Sequence, residues 1–173
     1  MAGMVPELKR ITVDVKKLYL DPNNPRFVTS KDDLKKEEDT VDLNEETKTK
    51  MDSGAHDIKS LIDSIKVNGW IPIDHVFVKS LPSESGRYVV LEGNRRVTAL
   101  QKILNDEDDI STDKESIEKI EVMEVLDDGD LAIPLADKIT YLLGVRHHGS
   151  LKKWSPFARA QNIYLHYLEL TDQ

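Results

Sequence analysis

The segment 92–96, which reads Glu-Gly-Asn-Arg-Arg, carries the most informative chemistry in the sequence. The apolar run 88–91 before it predicts a buried strand, and apolar residues at helical spacing follow from Val97. A helix that starts directly after a strand and a glycine presents free amides and its positive dipole end, which attract an anion. Arg95 and Arg96 add charge and forked donors in the same turn. The pattern predicts a phosphate site, and the alternative is two surface arginines that pair with acidic segments.

Glu92 is the one acidic residue of this turn, and two roles are open to it. Its carboxylate can act as a catalytic group that orients a water molecule or holds a magnesium ion. It can equally form a salt bridge with Arg95 or Arg96. The sequence favours neither role over the other.

A second group of chemically capable side chains, Arg146, His147 and His148, lies in a segment, 144–153, that we predict to be a polar, basic loop. These side chains can contact phosphate or DNA, or can simply belong to a solvated loop. A metal site is disfavoured because adjacent residues rarely ligate one ion and no Cys, Asp or Glu lies within a few residues. No serine and histidine stand at a spacing typical of a catalytic triad.

The composition excludes several classes of protein. The chain has 173 residues, enough for one domain or for one domain and part of a second. The absence of cysteine excludes a disulfide scaffold, a cysteine-ligated zinc site, an iron–sulfur cluster and a thiol nucleophile. No apolar run approaches the ~18 residues that span a bilayer. We therefore expect a cytoplasmic protein without a membrane partner.

The net charge of −8 argues at first against a phosphate-bearing partner, but the charge is unevenly distributed. The segment 30–57 has a net charge of −5 and the segment 105–130 one of −10, so the remainder carries +7 and contains all seven arginines. The acidic segments are either solvated loops or surfaces that mimic or repel nucleic acid. The rest of the chain is basic and suits an anionic ligand.

Periodicity predicts a mixture of strands and helices. We expect strands at 11–15, 76–78, 88–91 and near 122–126. Helices are expected from an Asp57 cap to a Gly69 stop, over 95–104, over 131–143 and from Ser155 onward. A dense turn lies at 21–25, and the acidic segment from 30 reads as a flexible insertion that is either partly helical or disordered.

This order of elements resembles the N-terminal domain of the ParB chromosome-partition proteins, within the ParB/sulfiredoxin superfamily. The family box, Gly-Glu-Arg-Arg followed two residues later by alanine, corresponds to residues 93–99 here, and the turn 23–26 looks like the family's Pro-Arg turn. The resemblance covers about 11–125 without the acidic insertion. Sulfiredoxins place a catalytic cysteine in the box, so the lack of cysteine excludes that branch and its sulfinic-acid reduction.

The resemblance implies a nucleotide site, because ParB proteins bind and hydrolyse CTP. Carried over, it implies that the phosphates of a nucleoside triphosphate, CTP or ATP with Mg²⁺, contact the box residues and a few side chains near them. Arg26 would reach across from the first-strand turn, and Thr98 would assist through its hydroxyl or bond back within its helix. The residues so implied are Gly93, Asn94, Arg95, Arg96, Thr98 and Arg26.

Two departures from the family leave the base and the hydrolysis open. Asn94 stands where the box has an acidic residue. The second family box, Glu-Asn-x-Gln-Arg, is missing, and the nearest substitute is the segment with Arg146, His147 and His148, which lacks an acidic metal ligand. Weak nucleotide hydrolysis is thus an open expectation.

We therefore expect an α+β fold, a small mixed β-sheet packed with helices, over 1–130, with an acidic insertion at 30–57 and an acidic linker at 105–120. Residues 131–173 would be a helical extension that begins a helix-turn-helix module of a longer protein. The expected function is a nucleotide-binding switch in a DNA-associated, nucleoid-located and homodimeric protein. The alternatives are a metal-dependent nuclease that uses Glu92 and a DNA- or protein-binding module without nucleotide.

Overall fold

A computed structural model describes residues 5–26, 28, 30–53, 56–82, 84–107, 112–127, 129, 133–148 and 164. These residues form a five-stranded mixed sheet with helices packed on it, which confirms the predicted α+β fold class. The strands are β1 Glu7–Asp14, β2 Leu18–Leu20, β3 Phe77–Ser80, β4 Tyr88–Glu92 and β5 Lys119–Leu126. The helices are α1 Asn44–Asp52, α2 Ile58–Asn68, α3 Asn94–Asn105, α4 Glu115–Glu118 and α5 Leu135–His148.

The strand order β1-β5-β3-β4-β2 decides which loops become neighbours. β1 pairs with β5 and β3 with β4 in antiparallel fashion, whereas β3 with β5 and β2 with β4 are parallel. Parallel strands end at the same edge of a sheet. The turn that follows β2 at 21–26 therefore lies beside the turn that follows β4 at Gly93.

The apolar stripes of α2 and α3 build the main core against one face of the sheet. Ile58 and Ile65 of α2, with Val97, Leu100 and Ile103 of α3, are at most 4% exposed. Alternate strand residues that face them are equally buried: Val78, Val90 and Val122. α2 ends at Gly69, whose φ of 74° stops the helix as predicted. The predicted helical spacings therefore correspond to a real packed layer.

The acidic insertion is partly helical, which settles the choice that its sequence left open. It contains short 3₁₀ turns at Lys31–Asp33 and Glu37–Asp39, followed by α1. α1 buries a stripe at the spacing i, i+3, i+7, formed by Asn44, Thr47 and the fully buried Met51. Two of these three residues are polar, so the stripe is invisible to a search for apolar periodicity. The side chain of Asn44 is buried at little cost because its Oδ1 accepts the Leu20 N–H at 3.0 Å.

The C-terminal part of the described chain differs from the prediction at one boundary. α5 was expected to end at Leu143 with a loop from Gly144, but it continues through Arg146, His147 and His148. α5 contacts β4 on the face opposite α3. The Ser155 helix lies outside the described residues, so the domain division at 130 remains a prediction. Among the described helices, none has the length and apolarity to cross a bilayer.

If the acidic insertion belongs to the fold, truncation of Met51, the buried apolar side chain of its described residues, must destabilise the whole domain. We expect Met51→Ala to lower the free energy of unfolding by about 2–5 kcal/mol, since the lost contacts leave a cavity. Urea denaturation followed by circular dichroism measures this. Val67→Ala on the surface of α2, where Val67 is 81% exposed, is the control and should change little. Equal curves for both variants would show that α1 does not pack on the core.

Candidate functional site

The turn between β4 and α3 depends on glycine for two separate reasons. Gly93 has a φ of 100°, in the left-handed region that residues with a Cβ rarely adopt. A Cβ at this position would lie 3.0 Å from Cγ2 of Val76. The Val97 N–H donates to the Gly93 carbonyl at 3.0 Å, so α3 begins directly at the turn. The chain thus passes from strand to helix within one residue.

The side chain of Asn94 ties this turn to the turn after β2. It is 1% exposed, its Oδ1 accepts the Asp21 N–H at 3.0 Å, and its Nδ2 donates to the Val90 carbonyl at 2.9 Å. Thr98 is also buried, and its hydroxyl donates to the Asn94 carbonyl at 2.8 Å. This is the bond within its own helix that the sequence left open beside a phosphate contact. Both side chains are therefore held in structural hydrogen bonds, and Asn94 would meet a phosphate through its main-chain N–H in the first turn of α3.

The two arginines of the turn point to different neighbours. Arg95 Nη2 donates to the Asp57 carbonyl at 3.2 Å, at the start of α2. Arg96 Nη1 donates to the Asp74 carbonyl, and its Nη2 lies 3.8 Å from Glu92 Oε1. The arginines therefore contact aspartate main chain, whereas Glu92 forms the salt bridge that was one of its two predicted roles.

Arg95 keeps one buried donor without an acceptor. Its Nε is shielded from solvent and has no hydrogen-bond partner among the described residues. A buried N–H that lacks an acceptor costs about 1–3 kcal/mol, so native proteins rarely leave one. An anion bound beside the guanidinium would supply the missing acceptor.

Arg26 lies close enough to Glu92 and Arg95 for their charges to act on its pKa. Its predicted contact with a phosphate across from the first-strand turn stays a prediction. Burial is the largest effect and lowers its pKa; the Glu92 carboxylate raises the pKa, and Arg95 lowers it. The turn is held by the buried Asn24, whose Oδ1 accepts the Arg26 N–H at 3.1 Å. Parallel pairing of β2 with β4 is the reason that the two turns meet.

His56 joins this group, although the sequence analysis did not select it. Burial lowers the pKa of the imidazole most, and Arg26 and Arg95 lower it further. Its chain position, 39 residues before Arg95, offers no local pattern that would link the two. We call Arg26, His56, Arg95 and Arg96 the cationic cluster; Glu92 is the carboxylate beside it.

Asp57 does not cap α2 through its side chain, contrary to the prediction. Its backbone is left-handed, with φ 52° and ψ 46°, and the side chain makes no capping hydrogen bond. A cap needs an extended backbone to aim the side chain at the helix amides. The left-handed turn instead directs the chain so that the Asp57 carbonyl receives Arg95.

Among the described residues, no group of three or more His, Asp or Glu side chains could hold a metal ion. Glu92 lies 3.8 Å from Arg96 in an ion pair. A magnesium ion at Glu92, one of the roles that the sequence left open, stays a prediction, because Mg²⁺ is commonly held by one or two carboxylates together with phosphate oxygens. The side chains of Arg146, His147 and His148 lie outside the described structure.

A cavity of about 280 Å³ lies between α5 and the outer face of β4, beside the same turn. Asp21 lines it with Glu37 and Lys79, which form an ion pair at 2.5 Å. Burial raises the pKa of Asp21 to about 6, against the opposing hydrogen bond from the Asn23 N–H. The titrating Asp21 carboxyl therefore belongs to the same residue whose N–H is held by Asn94.

Comparison with known proteins gives little help with the ligand. No family model matches the sequence, and no curated protein matches it. The fold is similar to that of the C-terminally truncated chromosome-partitioning protein ParB from Caulobacter crescentus, solved in complex with CTP-gamma-S. That likeness has a TM-score of 0.41 and 17% identity and covers 90% of this chain and 71% of the other. Because the superposition is this loose, the ligand must be inferred from the side chains of this chain.

The contacts of Gly93 predict that alanine is tolerated poorly there. Gly93→Ala should lower the free energy of unfolding by about 1–3 kcal/mol, because alanine is strained in the left-handed backbone. The contact of the new Cβ with Val76 should add to this loss. Gly86→Ala is the control, since Gly86 has a φ of 76° and open space around it. Chemical denaturation compares the two. Equal losses would show that the approach to Val76 is relieved at no cost.

The raised pKa of Asp21 predicts a pH-dependent gain for Asp21→Asn. A carboxyl whose pKa is higher in the folded state than in the unfolded state is penalised as pH rises from about 4 to 6. The stability advantage of Asp21→Asn should therefore grow across this range, by at most about 1.4 kcal/mol per pH unit, and then stay constant. Denaturation curves at several pH values measure it, with the exposed Asp63→Asn as control. A constant difference across the range would contradict the assignment.

Proposed function

We propose that this chain is the nucleotide-binding domain of a ParB-like, DNA-associated protein, and that the cationic cluster holds the phosphates of a nucleoside triphosphate. One observation carries the proposal: the guanidinium groups of Arg26 and Arg95 converge from separate segments of the chain, with the imidazole of His56 near both. Like charges raise one another's free energy when they are brought together, most of all where burial removes water. A polyanionic ligand would reverse that repulsion.

The donors of the cluster suit phosphate. Guanidinium groups bind phosphate oxygens through paired, charge-assisted hydrogen bonds. Within the described part of the chain, the buried Nε of Arg95 has no acceptor. The first turn of α3 adds its dipole in the same place. A triphosphate presents enough oxygens to engage several of these groups together.

Burial favours a small ligand over a duplex backbone. The Arg96 side chain is 18% exposed, and Glu92 beside it is 13% exposed. Basic side chains that contact the phosphates of duplex DNA must reach a long, convex backbone. Half-buried guanidinium groups are better placed for the terminal phosphates of a nucleotide. DNA would then be a partner of the parent protein at another surface.

A switch role follows from the origin of the cluster. Arg26 comes from the turn after β2, His56 from the segment between α1 and α2, and Arg95 from α3. A ligand that contacts all three would hold these segments together and favour one arrangement of them. We propose that the homodimeric parent protein reads this change. For weak hydrolysis, we propose Glu92 as the catalytic carboxylate, which would exchange its salt bridge to Arg96 for a water molecule.

The proposal predicts that the two turn arginines are needed for nucleotide binding. We expect the wild-type chain to bind CTP or ATP in isothermal titration calorimetry, with and without Mg²⁺. Arg95→Ala/Arg96→Ala should weaken binding by about tenfold or more, because each lost charged hydrogen bond is worth about 1.5–3 kcal/mol.

Arg10→Ala is the matched control for this experiment. Arg10 lies on β1, its side chain is 64% exposed, and it pairs with Glu121 at 3.4 Å. Its loss removes the same charge from a surface at the other edge of the sheet and should leave the affinity unchanged. Circular dichroism checks that the double variant is folded, since Arg96 also contacts the Asp74 carbonyl. No binding by the wild type, or equal binding by the double variant, would refute the proposal.

A further inference from the structure

His56 occupies a defined position at the edge of the cationic cluster. It precedes Asp57, whose carbonyl accepts Arg95 Nη2 at 3.2 Å. Its own N–H donates to the Ser53 carbonyl at 3.2 Å, which connects it to the end of α1. The residue is partly buried, so it is neither a core histidine nor a free surface one. The hydrogen bond to the Asp57 carbonyl therefore places the Arg95 guanidinium at the residue that directly follows His56.

The charged groups around His56 come from several elements. Arg26, in the turn after β2, and Arg95, at the start of α3, are near enough for their positive charges to lower the pKa of His56. Glu92, at the end of β4, acts on Arg26, and Asp57 follows His56 in its own segment. In the free protein, burial and then the two guanidinium groups lower the pKa of His56 and disfavour the imidazolium. These effects favour the neutral ring near pH 7.

We propose that His56 is a ligand of the phosphate bound in the cationic cluster, and that it gains a proton when the phosphate binds. This rests on the proposed function and adds a residue and a proton to it. A triphosphate brings several negative charges next to the ring and outweighs the two guanidinium groups. Protonation then turns a neutral neighbour of the three arginines into a fourth cationic donor. Nucleotide binding and proton uptake are one linked equilibrium.

The direction of the pH dependence follows from this linkage. A ligand whose binding takes up a proton binds more tightly as pH falls. As the pH falls, the affinity should rise between two values: the pKa of His56 in the complex and its lower pKa in the free protein. Within this window the gain is up to about tenfold per pH unit. The terminal phosphate of the ligand titrates near pH 6 and acts in the opposite direction. The difference between the wild type and a His56 variant isolates the histidine.

The test uses inorganic triphosphate, which lacks a base, in calorimetric titrations from pH 5.5 to 8.5 on the full chain. Buffers of different ionisation enthalpy count the protons taken up. We expect His56→Gln to match the wild type at high pH and to fall below it, by up to about tenfold, toward pH 6. His56→Lys, which keeps its charge, should bind at least as tightly as the protonated wild type throughout the range.

Nuclear magnetic resonance gives a second measurement, which uses the wild type alone and does not depend on the affinity of a His56 variant. The imidazole signal of His56 should titrate below its ordinary pH in the free protein and at higher pH with triphosphate bound. A wild-type affinity with the same pH profile as His56→Gln, or an unchanged titration of His56, would overturn the inference and leave the proposed function standing. Failure of the wild type to bind triphosphate, CTP or ATP at any pH would overturn both.

Discussion

One buried amide, the side chain of Asn94, connects the segments on which the rest of the site depends. Its oxygen accepts the Asp21 N–H and its nitrogen donates to the Val90 carbonyl. An unpaired group at this depth would cost about 1–3 kcal/mol, so both bonds hold the turn after β2 against the end of β4. An amide suits the position because it is a donor and an acceptor together. A carboxylate would lose the donor to Val90, which accounts for asparagine beside the two arginines.

The overall charge of the protein conceals how its cationic cluster is built. The composition of the acidic insertion is typical of a solvated addition, yet α1 buries Met51 in the core. The segment also ends in His56 and Asp57, which bring an imidazole and a carbonyl to Arg95. A net charge of −8 is therefore compatible with a local concentration of cations. The basic groups are gathered by the fold and not by their order along the chain.

Much of the fold could be predicted because its signals are local. The apolar stripes of α2 and α3 and the strand 88–91 each appear at their expected positions. α1 was not predicted as a distinct helix because two of its three buried residues are polar and form hydrogen bonds. The end of α5 was misplaced because glycine at 144 reads as a stop, while the helix there continues. Asp57 was predicted to cap α2 because aspartate is a common N-cap residue, but its left-handed backbone prevents its side chain from capping the helix.

The sequence by itself determined the strand, the glycine turn and the helix start of the site, since spacing and residue type are local properties. It also indicated Arg95 and Arg96 as anion ligands, because their position in the first helical turn is visible in one dimension. Only the tertiary structure decided which groups join them. The parallel pairing of β2 with β4 brings Arg26 to the turn, and the left-handed Asp57 places His56 there. Contacts between residues 30 to 70 positions apart depend on sheet order and buried hydrogen bonds, which no local pattern encodes.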